Sequence, residues 1–270
     1  MDKECEMNSY AILIPSYNSN RDVILRTFQG LPLDAHIFVV DDGSKIPFSN
    51  VIGTELSQYS NLQVIKLEKN AGIENALNSG LGNIIDNYTY VARLDIGDSC
   101  MSERFAAQVN FLERNPDYDL VGCWANFVDM DGNSLFVSKT PVEDNEIRNR
   151  MFINNMFIHP SVMMRCAALK KVGLYSTYYE ACEDYDLFFR LMSNGKGHNM
   201  PYAWLNYEVN DNSISSAKRN KQIKNRIKII KQNFSFFQYG LYPYYGLIRG
   251  VVFLFIGRKT TTFVRKLLGR

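Results

Sequence analysis

Two carboxylates, Asp41 and Asp42, follow directly on the apolar run Ile37-Phe38-Val39-Val40, and Gly43-Ser44 then turn the chain. That is how a buried parallel strand ends at the mouth of an open α/β sheet, where ligands bind. One acid there is enough for a loop cap; two invite a ligand with hydroxyls or N–H groups. Similar punctuation recurs along the chain. Ile12-Leu13-Ile14 runs into Pro15-Ser16-Tyr17-Asn18, Asn70-Ala71-Gly72 precedes a helical pattern, and Ala92-Arg93-Leu94 ends in Asp95-Ile96-Gly97-Asp98. His159-Pro160-Ser161, then Glu183-Asp184-Tyr185-Asp186-Leu187, then Tyr207 to Ser215 close the series. Carboxylates at neighbouring strand ends can accept from N–H groups and hydroxyls of a ligand, or take a proton from a hydroxyl.

The elements that must position these groups are legible in the apolar pattern. Strands are expected at Tyr10 to Ile14, Ile37 to Val40, Leu62 to Leu67 and Tyr88 to Leu94. Helical spacing fills Val23 to Leu31 and Ala71 to Ile85, and Ser102 to Asn115 carries Phe105, Val109 and Leu112 on one face. Strands alternating with helices make β-α-β units and a mainly parallel, Rossmann-like α/β sheet with helices on both faces. The pattern then changes. Val121 to Val137 reads as two strands around Asp131-Gly132, a hairpin signal. Helices are expected near Glu143 to Phe152, Ala167 to Val172 and Glu183 to Met192.

Taken in order, these motifs resemble the family 2 glycosyltransferases, inverting enzymes of the GT-A fold that use nucleotide sugars, over about residues 10–215. The resemblance implies that Pro15, Ser16, Tyr17 and Asp42 hold the nucleoside, with Asn70, Gly72 and Arg93 beside it. Tyr17 is expected to stack on the base, or else to pack on the helix. Asn70 and Gly72 also read as a helix N-cap and its preceding turn. Asp95 is expected at the diphosphate, where relatives bind a divalent cation, Mn²⁺ or Mg²⁺. Relatives usually show Asp-x-Asp there. Here Gly97 replaces the second acid and Asp98 follows, either as a further metal contact or as the cap of a helix starting near Met101. Relatives often place a metal-binding histidine where Asn210 stands. Arg93 and other cations sharing the diphosphate's charge is a further reading. The resemblance makes Asp184 the general base that deprotonates the acceptor, with Glu183 and His159 on the acceptor side. Asp186 reads as a solvated or capping residue.

At 270 residues the chain can form one large α/β domain with an appendage, or two small domains. Its net charge of +2 hides an asymmetry. No acid follows Asp211, and the last 59 residues carry thirteen Lys and Arg. The expected organisation is a nucleotide-binding half at about 8–100, an acceptor half at about 101–215, and a basic, aromatic-rich amphipathic helical tail at 216–270. An acid-free basic tail suits an anionic membrane surface. Phe234 to Gly257 holds Arg249 as its only charge, yet Gly240, Pro243, Gly246 and Gly250 interrupt it as a span. The N-terminus has neither a basic n-region nor an apolar h-region, and five scattered cysteines without a CxxC suit a reducing compartment. The expectation is a cytoplasmic protein, peripheral on the inner face of the membrane. It would move a hexose, from a UDP-sugar by preference, to a lipid-linked saccharide in surface polysaccharide (O-antigen or capsule) synthesis. Nucleic acid is not an expected partner. A catalytically weak sugar-nucleotide binder is the first alternative, kept open by Gly97 and Asn210. A sugar-phosphate nucleotidyltransferase is the second, and Ser16 to Asn20 lacks the glycine-rich basic loop it would need.

Overall fold

The computed structural model describes residues 8–209 and 218–255. The first half is built as the apolar pattern requires. Strands β1 (Asn8–Ser16), β2 (His36–Asp41), β3 (Leu62–Lys66) and β4 (Tyr88–Arg93) are all parallel, in the order β3-β2-β1-β4. Helices α1 (Arg21–Phe28), α2 (Phe48–Ile52) and α3 (Ile73–Ile84) make the crossovers. Asn20 caps α1, its side-chain oxygen accepting from the Val23 N–H at 3.0 Å. Alternate residues of each strand serve two cores. Ala11, Leu13, Phe38 and Val40 meet Ala76, Leu77, Leu81 and Ile84 of α3 on one face. Ile12, Ile14, Ile37 and Val39 meet Ile24, Phe28 and Phe105 on the other. A strand buried on both sides reads as a continuous apolar run, which is what marked β1 and β2 in the sequence.

Beyond β4 the sheet becomes mixed. β5 (Ser99–Cys100), α4 (Glu103–Arg114), β6 (Tyr118–Val128) and β7 (Ser134–Ser138) come first. α5 (Asp144–Met151), β8 (Met163–Arg165), α6 (Cys166–Val172), α7 (Glu183–Asn194) and β9 (Lys196–Glu208) complete this half. Among the described residues nine strands form one sheet, ordered β3-β2-β1-β4-β8-β6-β9-β5, with β7 on β6. β6 and β7 form the expected hairpin around Asp131-Gly132. β8 and β9 are absent from the sequence reading. β9 carries Pro201, which argues against a strand interior. The structure accommodates it with a register shift: Met200 pairs Cys123 and Ala203 pairs Trp124, so Pro201 and Tyr202 bulge out.

Two further helices, α8 (Arg219–Gln232) and α9 (Tyr242–Phe255), follow. α8 is part of the main body, because Ile229 and Ile230 are buried in the core beside α7. α9 lies on α8 and α5 so closely that a Cβ at Gly246 would come 2.1 Å from the Phe152 carbonyl oxygen. No helix among the described residues is long and apolar enough to cross a membrane. Cys100, Cys123, Cys166 and Cys182 are buried free thiols, as the sequence suggests.

Candidate active site

The loops that follow β1, β2 and β3, three of the four parallel strands, are cross-tied. Asp42 is buried, and its two carboxylate oxygens accept from the Ala71 and Gly72 N–H groups at 2.7 and 3.1 Å. Asp41 accepts from the Ser44 and Phe48 N–H groups at 3.0 and 2.8 Å. Both acids therefore cap loops, each with two backbone donors. Asn18, at φ 49°, donates its N–H to Ser44 Oγ at 2.8 Å, and its side chain accepts from the Lys45 N–H at 2.9 Å. Gly43 has φ +67°, and a Cβ there would lie 2.3 Å from the Lys69 carbonyl carbon. Only glycine lets the second loop lie against the third. Pro15 and Ser16 end β1, with Ser16 Oγ donating to Ser19 Oγ at 3.0 Å. Tyr17 stands half-exposed at the rim with its ring available for stacking. Gly72 occupies the N-cap of α3, and Asn70 is exposed in the turn before it.

Arg93 departs from the reading that it faces the diphosphate. Its guanidinium is fully buried, donating to the Leu13 carbonyl and to Asp95 Oδ1, both at 2.6 Å. Its Nε points at His159 Nε2 at 3.4 Å, and that nitrogen is hydrogen-bonded to the Tyr175 hydroxyl at 2.7 Å. Burial, then the Arg93 charge, pushes the His159 pKa down to about 3, so the ring is neutral. The Asn78 side-chain amide pins Tyr175, its Nδ2 donating to the Tyr175 carbonyl at 2.8 Å and its Oδ1 accepting from the Tyr175 N–H at 2.9 Å. The histidine thus belongs to a chain that orients Asp95.

Asp98 is not a helix cap. α4 begins at Glu103 behind Ser102, and Asp98 instead accepts the Glu208 N–H at 2.9 Å, joining the end of β9 to the Asp95 loop. Its other oxygen, Oδ2, is buried with no hydrogen-bond partner among the described residues. Burial, reinforced by the Asp95 charge, holds its pKa well above the usual carboxylate range. Gly97 between them has φ +109° and donates its N–H to Thr27 Oγ1 at 2.9 Å. A side chain there would have room but would strain the backbone, so this conformation disfavours the family's second acid. An orphaned carboxylate oxygen beside a second carboxylate is a donor set that suits a hard divalent cation. No group of three or more potential ligands assembles among the described residues. Asn210 lies outside them.

At the start of α7, Asp184 is half-buried. Its Oδ2 accepts from Asn155 Nδ2 at 2.8 Å and its Oδ1 from the Tyr185 N–H at 2.7 Å. Burial raises its pKa. Glu183 Oε2 is buried without a partner among the described residues. Burial, then the charge of Asp184, with Glu74 and Asp95 adding to it, pushes the Glu183 pKa up to about 8. Asp186 is neither solvated nor a cap; it is buried and paired with Arg190 at 2.8 Å.

The sequence reading missed Asn155, Tyr175 and Glu208, and gave Tyr207 no role of its own. Asn155 and Tyr175 reach the site from irregular segments that carry no periodic signal. Glu208 is held in place by Arg26 at 2.8 Å, 182 positions away.

The family model for Glycosyl transferase family 2 matches residues 11–173. The amylovoran biosynthesis glycosyltransferase AmsE of Erwinia amylovora is 27% identical over 257 residues, covering 93% of each chain. An Escherichia coli UDP-Gal:alpha-D-GlcNAc-diphosphoundecaprenol beta-1,3-galactosyltransferase is 27% identical over 233 residues, 86% of this chain and 80% of its own. Among solved structures, Staphylococcus aureus TarS 1–349 in complex with UDP superposes with a TM-score of 0.66 at 17% identity. That match covers 94% of this chain and 74% of TarS 1–349, and the shared fold is GT-A.

Proposed function

Because the chain belongs to glycosyl transferase family 2, and is therefore a sugar transferase, we propose that it moves a hexose from a UDP-sugar to a lipid-linked saccharide with inversion at the anomeric carbon. The observation that carries this reading is the placement of two acidic groups at one mouth of the sheet. Asp95 and Asp98 stand at the end of β4, and Glu183 and Asp184 head α7 close enough for Asp95 to act on Glu183. In this reading the nucleoside lies on Tyr17, Pro15 and Ser16, over the loops that Asp42 braces. Ala71 and Gly72 supply the pocket wall. Arg93 holds Asp95 in place through Asp95 Oδ1 and leaves Oδ2 for the donor side.

Asp95 and Asp98 would hold a divalent cation, Mn²⁺ or Mg²⁺, which when bound offsets the charge that develops on the leaving diphosphate. Asp184 takes the proton from the acceptor hydroxyl. Asn155 fixes its orientation, and burial raises its pKa toward the working range of a general base. Glu183, with its pKa near 8, is protonated at neutral pH and offers a hydroxyl donor beside the base. The diphosphoundecaprenol-linked acceptor named for the Escherichia coli relative supports a lipid-linked acceptor, and the basic C-terminal region supports a peripheral position on the inner face of the membrane. O-antigen or capsule assembly is the pathway class that fits.

The test incubates the protein with UDP-, GDP- and dTDP-sugars, with and without Mn²⁺, and with α-D-GlcNAc-diphosphoundecaprenol as one acceptor. Nucleotide release and product stereochemistry are measured. Release from UDP-sugars above all others, with a β-linked product, is expected. Release of UDP from none of them would overturn the reading.

A further inference from the structure

Three aromatic rings cross three adjacent strands in register and lead away from the carboxylates. Tyr207 on β9 pairs Phe127 on β6, and Phe127 pairs Phe136 on β7. Each step is 4.7 Å between ring centroids, the first tilted by 31° and the second stacked at 11°. The inner end is anchored at the site. Tyr207 precedes Glu208, whose N–H is bound by Asp98, and the charges of Asp98, Asp95 and Asp184 all reach its hydroxyl. The outer end is open. Phe136 is 55% exposed on the last strand of this edge, with one face on Phe127. Its strand, Ser134-Leu135-Phe136-Val137-Ser138, carries no charge, and Leu135 and Val137 are exposed beside it.

An exposed ring continuous with a catalytic cleft has a chemical meaning beyond core packing. A pyranose ring has an apolar face of C–H groups and a rim of hydroxyls. It stacks on an aromatic face and turns its hydroxyls to water or carboxylates. We propose that Phe136, at the outer end of the row that Phe127 and Tyr207 continue toward the site, is a distal acceptor subsite that stacks an outer sugar ring of an oligosaccharide acceptor. The subsite rests on the transferase reading above. It adds that the acceptor is an oligosaccharide, because the free face of Phe136 lies two ring steps of 4.7 Å beyond Tyr207.

Saturation-transfer NMR tests it, run with and without UDP, on lactose, cellobiose, maltose and chitobiose and on their monosaccharides. Wild type is expected to bind at least one disaccharide. Phe136→Ala should weaken that binding by about 3- to 10-fold, the range of one aromatic contact, and leave monosaccharides unaffected. Phe136→Trp should restore it, and UDP affinity by calorimetry should be unchanged in both variants. The proposal fails if wild type binds no disaccharide, or if Phe136→Ala binds them equally well. It also fails if Phe136→Ala turns a dimer into a monomer with sugar binding intact, since the strand is then an interface between copies. Failure of wild type to bind UDP would instead sink the nucleotide-sugar reading, independently of the saccharide result.

Discussion

Glu183 is a carboxyl group that the fold prefers to keep protonated. Its pKa rises from the ordinary 4.5 to about 8, so between these values the native state binds a proton that the unfolded chain releases. Stability therefore falls as pH rises through this window, by at most about 1.4 kcal/mol per pH unit for one group. Glu183→Gln is expected to flatten the slope between pH 5 and 8 in urea melts and to raise stability at pH 8. Asp184 gives a different signature. Asp184→Asn keeps the side chain's shape and one of its two acceptor positions but removes the base, so transfer should fall by a factor of roughly 10²–10⁴ while UDP affinity is retained. Transfer at the wild-type rate would remove Asp184 from its role. Asp95→Ala should cost donor turnover more than Asp184→Asn costs donor binding, because it also leaves the buried Arg93 guanidinium without its carboxylate partner.

The loop holding Asp95 and Asp98 is fixed by its backbone. Gly97→Asp, which would restore the family's second acid, forces a side chain onto φ +109°. It should destabilise the protein by about 1–3 kcal/mol in thermal melts, and it should not strengthen Mn²⁺ dependence. This loop also shows what a sequence can carry. Asp95 and Asp98 were legible as strand-end acids, and β1 to β4 as apolar runs, because local composition decides both. The partner of Asp98 was not legible, because it is a backbone N–H on a strand 110 positions away. The same holds for Asp186, read as solvated, which Arg190 and the packing of α7 draw inside. β9 was hidden by Pro201, and only its pairing with β6 shows that the proline sits in a bulge.

For the whole molecule, the C-terminal helices divide the work. α8 buries Ile229 and Ile230 in the core, so truncation after Ser216 should cost the fold itself, read as loss of cooperative unfolding. α9 exposes Tyr245, Ile248, Val252 and Phe255, which with Leu241 in the turn before it recur at helical spacing, and Phe237 is 93% exposed in the preceding loop. Leu241→Glu with Ile248→Glu should leave donor hydrolysis intact and abolish sedimentation with anionic liposomes. Undiminished sedimentation would exclude this face as the membrane contact.

β9 is also a clock for biosynthesis. It lies between β6 and β5 and pairs with β6 from Tyr118–Lys196 to Val128–Glu208, so that edge of β6 stays bare until the ribosome has delivered residue 208. Until then Asp98 lacks the N–H that fixes it, and the ring row has no inner member. A nascent chain ending before β9 can build the parallel half but not a donor site, and it presents a long apolar edge to its neighbours in the polysome. Released fragments ending at Gly195 should therefore need a chaperone to stay in solution, while the full chain, with β9 paired and α8 packed, should not.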